Sequence, residues 1–199
     1  KGAAGSETAR STVIAFYGGL RAGKADADAK MTLQRTFKGK FTDDPQALAA
    51  TDPNYTRIAA LILSNISVAD VVIGTLGSAD HRRLSDTHFF GEQGEERVNY
   101  TVNFKGQGAN DGADVRSKTV SKYTNDDGVT LLSASDAAVT PESALSRQIT
   151  TKGLTDQKLS ENFFDTHNGA SDEKLNYTLN YKGAAGSETA RSTVIAFYG

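Results

Sequence analysis

The sequence predicts a mainly β protein, with antiparallel sheets from two related β-meander repeats and one or two short helices. Three observations predict it. Apolar and polar residues alternate along several short runs, the pattern of strands with two unlike faces. A nine-residue motif occurs twice, as VNYTVNFKG at Val98–Gly106 and LNYTLNYKG at Leu175–Gly183. Nineteen Gly against three Pro favour a turn-rich fold over a Pro-rich linker.

The first element, residues 1–18 (KGAAGSETARSTVIAFYG), is a terminal strand segment that recurs unchanged as residues 182–199. Three origins fit an unaltered copy: one period plus a margin of a near-perfect tandem array, a strand copied so that a subunit can be completed by its neighbour, or an engineered duplication. Within the copy, Ile195 and Phe197 lie on one face and Val194, Ala196 and Tyr198 on the other. Two apolar faces predict cover on both sides, hence a central or inserted strand. Thr193, Val194, Ile195, Phe197 and Tyr198 are the candidate assembly strand.

Residues 19–83 are read as a basic strand plus short helices. Met31, Leu33, Phe37 and Phe41 oppose Lys30, Thr32, Gln34, Thr36, Lys38 and Lys40. Asp52 followed by Pro53 is a helix N-cap with Pro at the first helical position. Tyr55, Ile58, Leu61 and Ile62 then predict a helix over 53–64, and Asp44-Pro45 a shorter one to Ala50. The β-branched run Val68–Ile73 predicts a strand.

Residues 84–124 form the first meander. Val98, Tyr100, Val102 and Phe104 are expected inside, with Arg97, Asn99, Thr101, Asn103 and Lys105 outside. Residues 125–158 are a connection with a short helix starting at Thr140-Pro141 and anchored by Leu145. Residues 159–199 are the second meander, with Leu175, Tyr177, Leu179 and Tyr181 inside and Lys174, Asn176, Thr178, Asn180 and Lys182 outside. The likeness extends beyond the motif: Arg83-Leu84-Ser85 and Phe89-Phe90 correspond to Lys158-Leu159-Ser160 and Phe163-Phe164. One covered and one solvated face is the usual antiparallel arrangement.

The chemistry is sparse. Without Cys, disulfides, iron–sulfur clusters, thiolate zinc sites and a cysteine nucleophile are excluded. No apolar run approaches the roughly 18 residues that span a bilayer as a helix. The motifs GxSxG, HExxH, GxxxxGK[ST] and DxDxDG are absent. Gly106-Gln107-Gly108 and Gly183-Ala184-Ala185-Gly186 follow strands as a phosphate loop would, but lead into another strand and so read as hairpin connections. His88 lies near Asp86 and His167 near Asp165, a pairing that can orient a base; the two histidines hold different places in the two repeats. Asn110, Asp111 and Asp114, and Asn125 to Asp127, are Asx-rich turns without regular calcium-loop spacing. The reading is therefore no enzyme, no cofactor and no metal. Asn54, Asn65, Asn99 and Asn176 begin glycosylation sequons, of consequence only in a secretory host. A first residue other than Met suggests a processed chain or a fragment.

Charge is uneven. Residues 1–41 carry eight basic and three acidic groups, net +5, and residues 42–199 carry fourteen and twenty-one, net −7, which sum to the overall −2. Lys30, Lys38 and Lys40 with the Thr/Gln strand face, together with Lys105 and Lys182, form a candidate nucleic-acid face. A polar sheet face followed by a helix resembles, in binary pattern, the small coat proteins of RNA phages. That resemblance implies an RNA partner and a virion.

The leading expectation is a non-enzymatic structural self-assembly module, a tandem-repeat unit or filament subunit of adhesin type, joined to copies of itself by shared or donated strands. Its place would be extracellular or at a cell surface. The alternative is the capsid-type coat protein with RNA on its basic face. That alternative predicts RNA binding at low salt that weakens on Lys38→Glu and Lys40→Glu, measurable by filter retention across a salt series; no binding at low salt dismisses it.

Overall fold

Ser11–Tyr17 (β1) and Met31–Lys38 (β3) pair antiparallel, with Ile14 opposite Arg35 and Phe16 opposite Leu33. In the computed structural model of the chain, the described residues are 10–18, 20–21, 25–38, 83–105, 115–124 and 129–198. The chain forms two units, residues 1–86 with 104–114, and residues 87–103 with 115–199.

In the first unit the strand order is β4-β3-β1-β2, where β2 is Leu20–Arg21 and β4 is Arg83–Phe90, whose residues up to Asp86 belong here. Of the apolar face expected on β3, Leu33 is buried and Met31 half-buried, and Ile14 and Phe16 of β1 join Leu33 as core residues. Arg35 lies on the same face, an unexpected position for a charge, and is also buried, as is Asp86. The guanidinium and carboxylate meet in a two-pronged contact, Nε to Oδ1 at 2.8 Å and Nη2 to Oδ2 at 2.7 Å. Such a fork satisfies both carboxylate oxygens at once. Nη1 of Arg35 has no partner among the described residues.

The second unit carries the rest of β4, then Arg97–Phe104 (β5, to Asn103), Val115–Thr124 (β6), Leu131–Ser133 (β7), Ala144–Lys152 (β8), Lys158–Asp165 (β9), Lys174–Lys182 (β10) and Thr189–Ile195 (β11). Its order is β4-β5-β6-β8-β9-β10-β11, with β7 on β6. The protein is thus mainly β and antiparallel, with no helix among the described residues.

Three expectations need correction here. Neither face of β5 nor the greater part of β8 is fully covered: every residue of β5 is half-exposed, and so is nearly all of β8. The two faces differ in chemistry rather than in burial. One carries an aromatic and charged ladder, with His88 stacked on Tyr100 at 4.3 Å and Lys118 4.5 Å from the Tyr100 ring centre. Further along it, Phe163 stacks on Tyr177 at 4.4 Å and Arg147 lies 4.5 Å from the Phe163 ring centre. The other carries hydroxyl and amide pairs: Thr87 with Thr101 at 3.1 Å, Thr119 with Thr150 at 2.9 Å, and Thr178 donating to Asn162 at 2.8 Å. Cross-strand pairs of these kinds contribute roughly 0.2–1 kcal/mol each, so many small terms add to the unit's small core of Val115, Tyr123, Ala134 and Ala144.

The second correction concerns Thr140-Pro141. The chain makes a single turn there and enters β8 at Ala144. Ser143 donates its N–H to the Thr140 carbonyl and accepts the Thr140 N–H on Oγ, both at 3.0 Å. The Arg97 guanidinium takes the Pro141 and Ser143 carbonyls. The Leu145 N–H donates to Glu173 Oε1 at 2.7 Å. With these groups committed sideways, no helical ladder can propagate. The helices expected at 44–50 and 53–64 and the strand at 68–73 lie outside the described residues.

Thirdly, of the strand expected to be central or inserted, the first copy lies between β3 and β2 while the second is at the edge of the described sheet. β11 closes the order beside β10, and every one of its residues is exposed.

Register shifts interrupt β1–β3, β6–β8, β8–β9, β9–β10 and β10–β11. Two residues of one strand face one of the other at such bulges, which bend and twist the sheet.

Asp86→Ala leaves the Arg35 charge buried and unpaired, and the first unit is expected to lose about 3–5 kcal/mol. Replacing both, as Arg35→Met with Asp86→Leu, should restore much of that loss. Denaturant titration of the three chains checks the ordering.

Candidate functional site

The repeated segment is built twice from the same residues, and the two copies meet different surroundings. Ser11–Tyr17 and Ser192–Tyr198 are one sequence, STVIAFY. In the first copy Ile14 is 7% and Phe16 3% exposed, whereas their equivalents Ile195 and Phe197 are 58% and 89% exposed. Val13 and Val194 are alike, 56% and 58% exposed. One face of the strand is therefore solvated in both copies. The other is buried in the first and open in the second.

The two copies also use opposite edges. In β1, Phe16 turns its carbonyl to β3, accepting from Thr32 Oγ1 at 3.3 Å, and Gly18 donates its N–H to Lys30 at 3.0 Å. Backbone groups alternate between the two edges along a strand, so Ala15 presents its N–H to the edge away from β3. Its equivalent, Ala196, uses that edge: its N–H donates to the Asn176 carbonyl of the β10 strand at 2.9 Å. β10 therefore occupies in the second copy the edge that β1 leaves, over Ser11–Ala15, without a ladder partner among the described residues. β2 takes only Phe16 and Tyr17 of that edge. Conversely, β11 has no ladder partner among the described residues on the edge that β1 gives to β3.

Local chemistry holds β11 on β10. Gly183, at φ 115°, opens the connecting turn, and a Cβ there would lie 3.0 Å from the Ser187 carbonyl oxygen. Ser187 closes it by donating its N–H to Ala184 at 3.0 Å. The Gly183–Gly186 segment is thus a hairpin turn, as its strand-to-strand setting predicts. The Lys158 N–H donates to Glu188 Oε1 at 2.8 Å and holds that carboxyl below the usual range. Beyond the strand, the Tyr198 hydroxyl donates to the Leu175 carbonyl at 2.8 Å. Of the candidate assembly residues, Thr193, Val194 and Ile195 lie in β11, and Phe197 and Tyr198 follow it, all exposed.

The candidate nucleic-acid residues are more dispersed. Lys30 precedes β3 and Lys38 ends it, so the strand's length, about 3.3 Å per residue, separates them. Lys105 and Lys182 are exposed at the ends of β5 and β10, and Lys40 lies outside the described residues.

The second unit also contains a hollow of about 440 Å³ lined by Arg97, Val98, Tyr123, Pro141, Leu145 and Glu173. Its polar groups are engaged: Tyr123 donates to the Val98 carbonyl at 2.8 Å, Arg97 holds the 141–143 turn, and Glu173 receives Leu145. These bonds tie β5, β6 and β8 together, a structural role that pattern-reading from sequence did not find. A related bond network centres on buried Glu161, which accepts from Arg147 at 3.0 Å and from the Tyr181 hydroxyl at 2.8 Å. His167 is exposed in a turn, its N–H on Asp165 Oδ1 at 2.9 Å. Among the described residues no group of three or more His, Asp or Glu could hold a metal ion, and no helix is long and apolar enough to cross a membrane. The Asx-rich turns at 110–114 and 125–127 and the Gly106–Gly108 loop lie outside the described residues.

Burial pushes the Tyr123 hydroxyl up to about 12, against the pull of the Arg97 charge, from an ordinary value of 10.0. Tyr181 is likewise raised to about 12, by burial and by its bond to Glu161. A proton held more tightly in the fold than in the unfolded chain stabilises below the unfolded value. That stabilisation is complete below pH 10 and is lost as pH rises through about 12. Tyr123→Phe should remove part of this alkaline loss and leave the Tyr181 part, as read from denaturation midpoints and tyrosinate absorbance across the window.

Comparison with protein-family models, with curated proteins and with solved structures found no match.

Proposed function

We propose that this chain is a non-enzymatic structural module that assembles with copies of itself through shared or donated β-strands, as a repeat unit or fibre subunit at a cell surface. One observation carries the reading: an identical strand is buried at Ile14 and Phe16 in one copy and exposed at Ile195 and Phe197 in the other. Burying such side chains is worth roughly 1.5–3 kcal/mol apiece, and an unpaired edge is a template for another strand. β11 offers both at once. The sheet of the second unit supports the same reading, because lateral ladders beside a small core of Val115, Tyr123, Ala134 and Ala144 hold it together, and a sheet of that kind can be lengthened by adding strands.

The repeated motif belongs to this proposal. β4, β5 and β6 are successive neighbours, as are β9, β10 and β11, and each series carries the nine-residue motif on its middle strand. We read them as two descendants of one meander, so that the module grew by strand addition before it assembled by strand addition.

Assembly should rise with protein concentration and resist added salt, since apolar side chains and a backbone ladder drive it. Ile195→Asp should lower the assembled fraction several-fold while leaving the first unit's stability unchanged. Sedimentation velocity with negative-stain microscopy checks this; a wild-type chain that stays monomeric up to the highest soluble concentration overturns the proposal.

A further inference from the structure

We infer that the partner of the β3 edge in the assembly is residues 189–198 of a second copy, which take the place that β1 occupies in the isolated chain. This rests on the assembly reading above and gives it a donor, an acceptor and a register. The acceptor is the strip along β3, together with the buried positions now filled by Ile14 and Phe16. The donor is chemically identical to the present occupant, so the acceptor cannot tell them apart by side chain.

The edge geometry makes the exchange possible without sacrificing the donor's own anchorage. The donor strand already meets β10 of its own chain through the edge that Ala196 uses. Its remaining edge is the one that β1 turns to β3. Inserted there, residues 189–198 would have β10 of one copy on one side and β3 of the next on the other. Each copy of the segment in the present chain displays one half of that arrangement. Ile195 would then face Arg35, Phe197 would face Leu33 and Val194 would face Thr36, as their equivalents do in β1.

In the wild-type chain β1 competes for this place with the advantage of covalent attachment, which can raise its effective concentration to the order of millimolar. β1 therefore blocks the exchange in dilute solution, and damage to β1 should release it.

The test uses the full-length chain. Phe16→Asp spoils the internal strand but keeps an intact donor at Phe197; Phe16→Ala is the milder version if the first does not fold. A synthetic peptide of residues 182–199 should bind the Phe16 variant at least about tenfold more tightly than the wild type, whose tethered strand competes, and should raise its melting temperature. The same peptide carrying Phe197→Asp should do neither. The Phe16 variant alone should form head-to-tail oligomers at lower concentration than wild type, and the Phe16→Asp/Phe197→Asp chain should not. Because the protein has no cysteine, Thr36→Cys with Val194→Cys in the Phe16 variant reports register directly, by an intermolecular disulfide. The inference is overturned if the peptide binds variant and wild type equally, or if the Phe16 variant recovers wild-type stability as a monomer. Wild-type fibres combined with no peptide capture would sink this inference and leave the assembly reading standing. Peptide capture with a wild type that never assembles would do the reverse.

Discussion

A β-strand has two edges and two faces, and each must find a partner or meet water. That constraint organises this protein more than any single contact. The first unit meets it with a buried face, where Ile14, Phe16 and Leu33 pack beside the Arg35–Asp86 pair. The second meets it with ladders on both faces and a run of neighbours from β4 to β11. Among the described residues both solutions leave strand backbone without a ladder partner, at Ser11–Ala15 of β1 and along β11, and those are two copies of one strand.

The buried ion pair and the half-exposed ladders are complementary ways of holding a sheet without cysteine. A buried charge costs several kcal/mol in lost hydration, which the forked geometry offsets only because both partners are held by neighbouring strands, β3 and β4. In the second unit the cations stay nearer the surface and work laterally around the buried Glu161 carboxylate. Arg147 spans Phe163 and Glu161, and Lys158 lies 5.3 Å from the Tyr181 ring centre. Long cationic side chains cover aromatic faces with their stems while their heads remain wet, so the sheet is shielded by its own residues.

Strand positions were legible in the sequence because alternation is a local property. Arg97–Phe104, Lys174–Lys182 and Met31–Lys38 lie where the pattern puts them. Burial was not legible, because it depends on what lies over a face, and alternation only reports that the two faces differ. Leu175, Tyr177, Leu179 and Tyr181 are on one face yet remain half-exposed. The Thr140-Pro141 turn was misread for a similar reason: a helix start was present in the local residues, while Arg97 and Glu173, which divert the chain into β8, come from distant positions. At the candidate site the eighteen-residue identity was plain in the letters. That its two copies bond through opposite edges is a matter of backbone direction, on which side-chain patterns are silent.

The register shifts carry a consequence for fidelity. Strands with polar residues on a wet face can slide by two positions at little cost, since the same face stays outward and the ladder re-forms. Among the described residues five neighbouring pairs contain a bulge, and a bulge fits at one phase only. The shift between Asn180 and Tyr181 in β10–β11 and that at Phe16/Tyr17 in β1–β3 bracket the repeated strand from its two sides. Each copy of the strand thus meets one such notch: slipped by a pair of residues it would misfit, so its alignment is proofread by backbone shape where side-chain chemistry is too repetitive to do it.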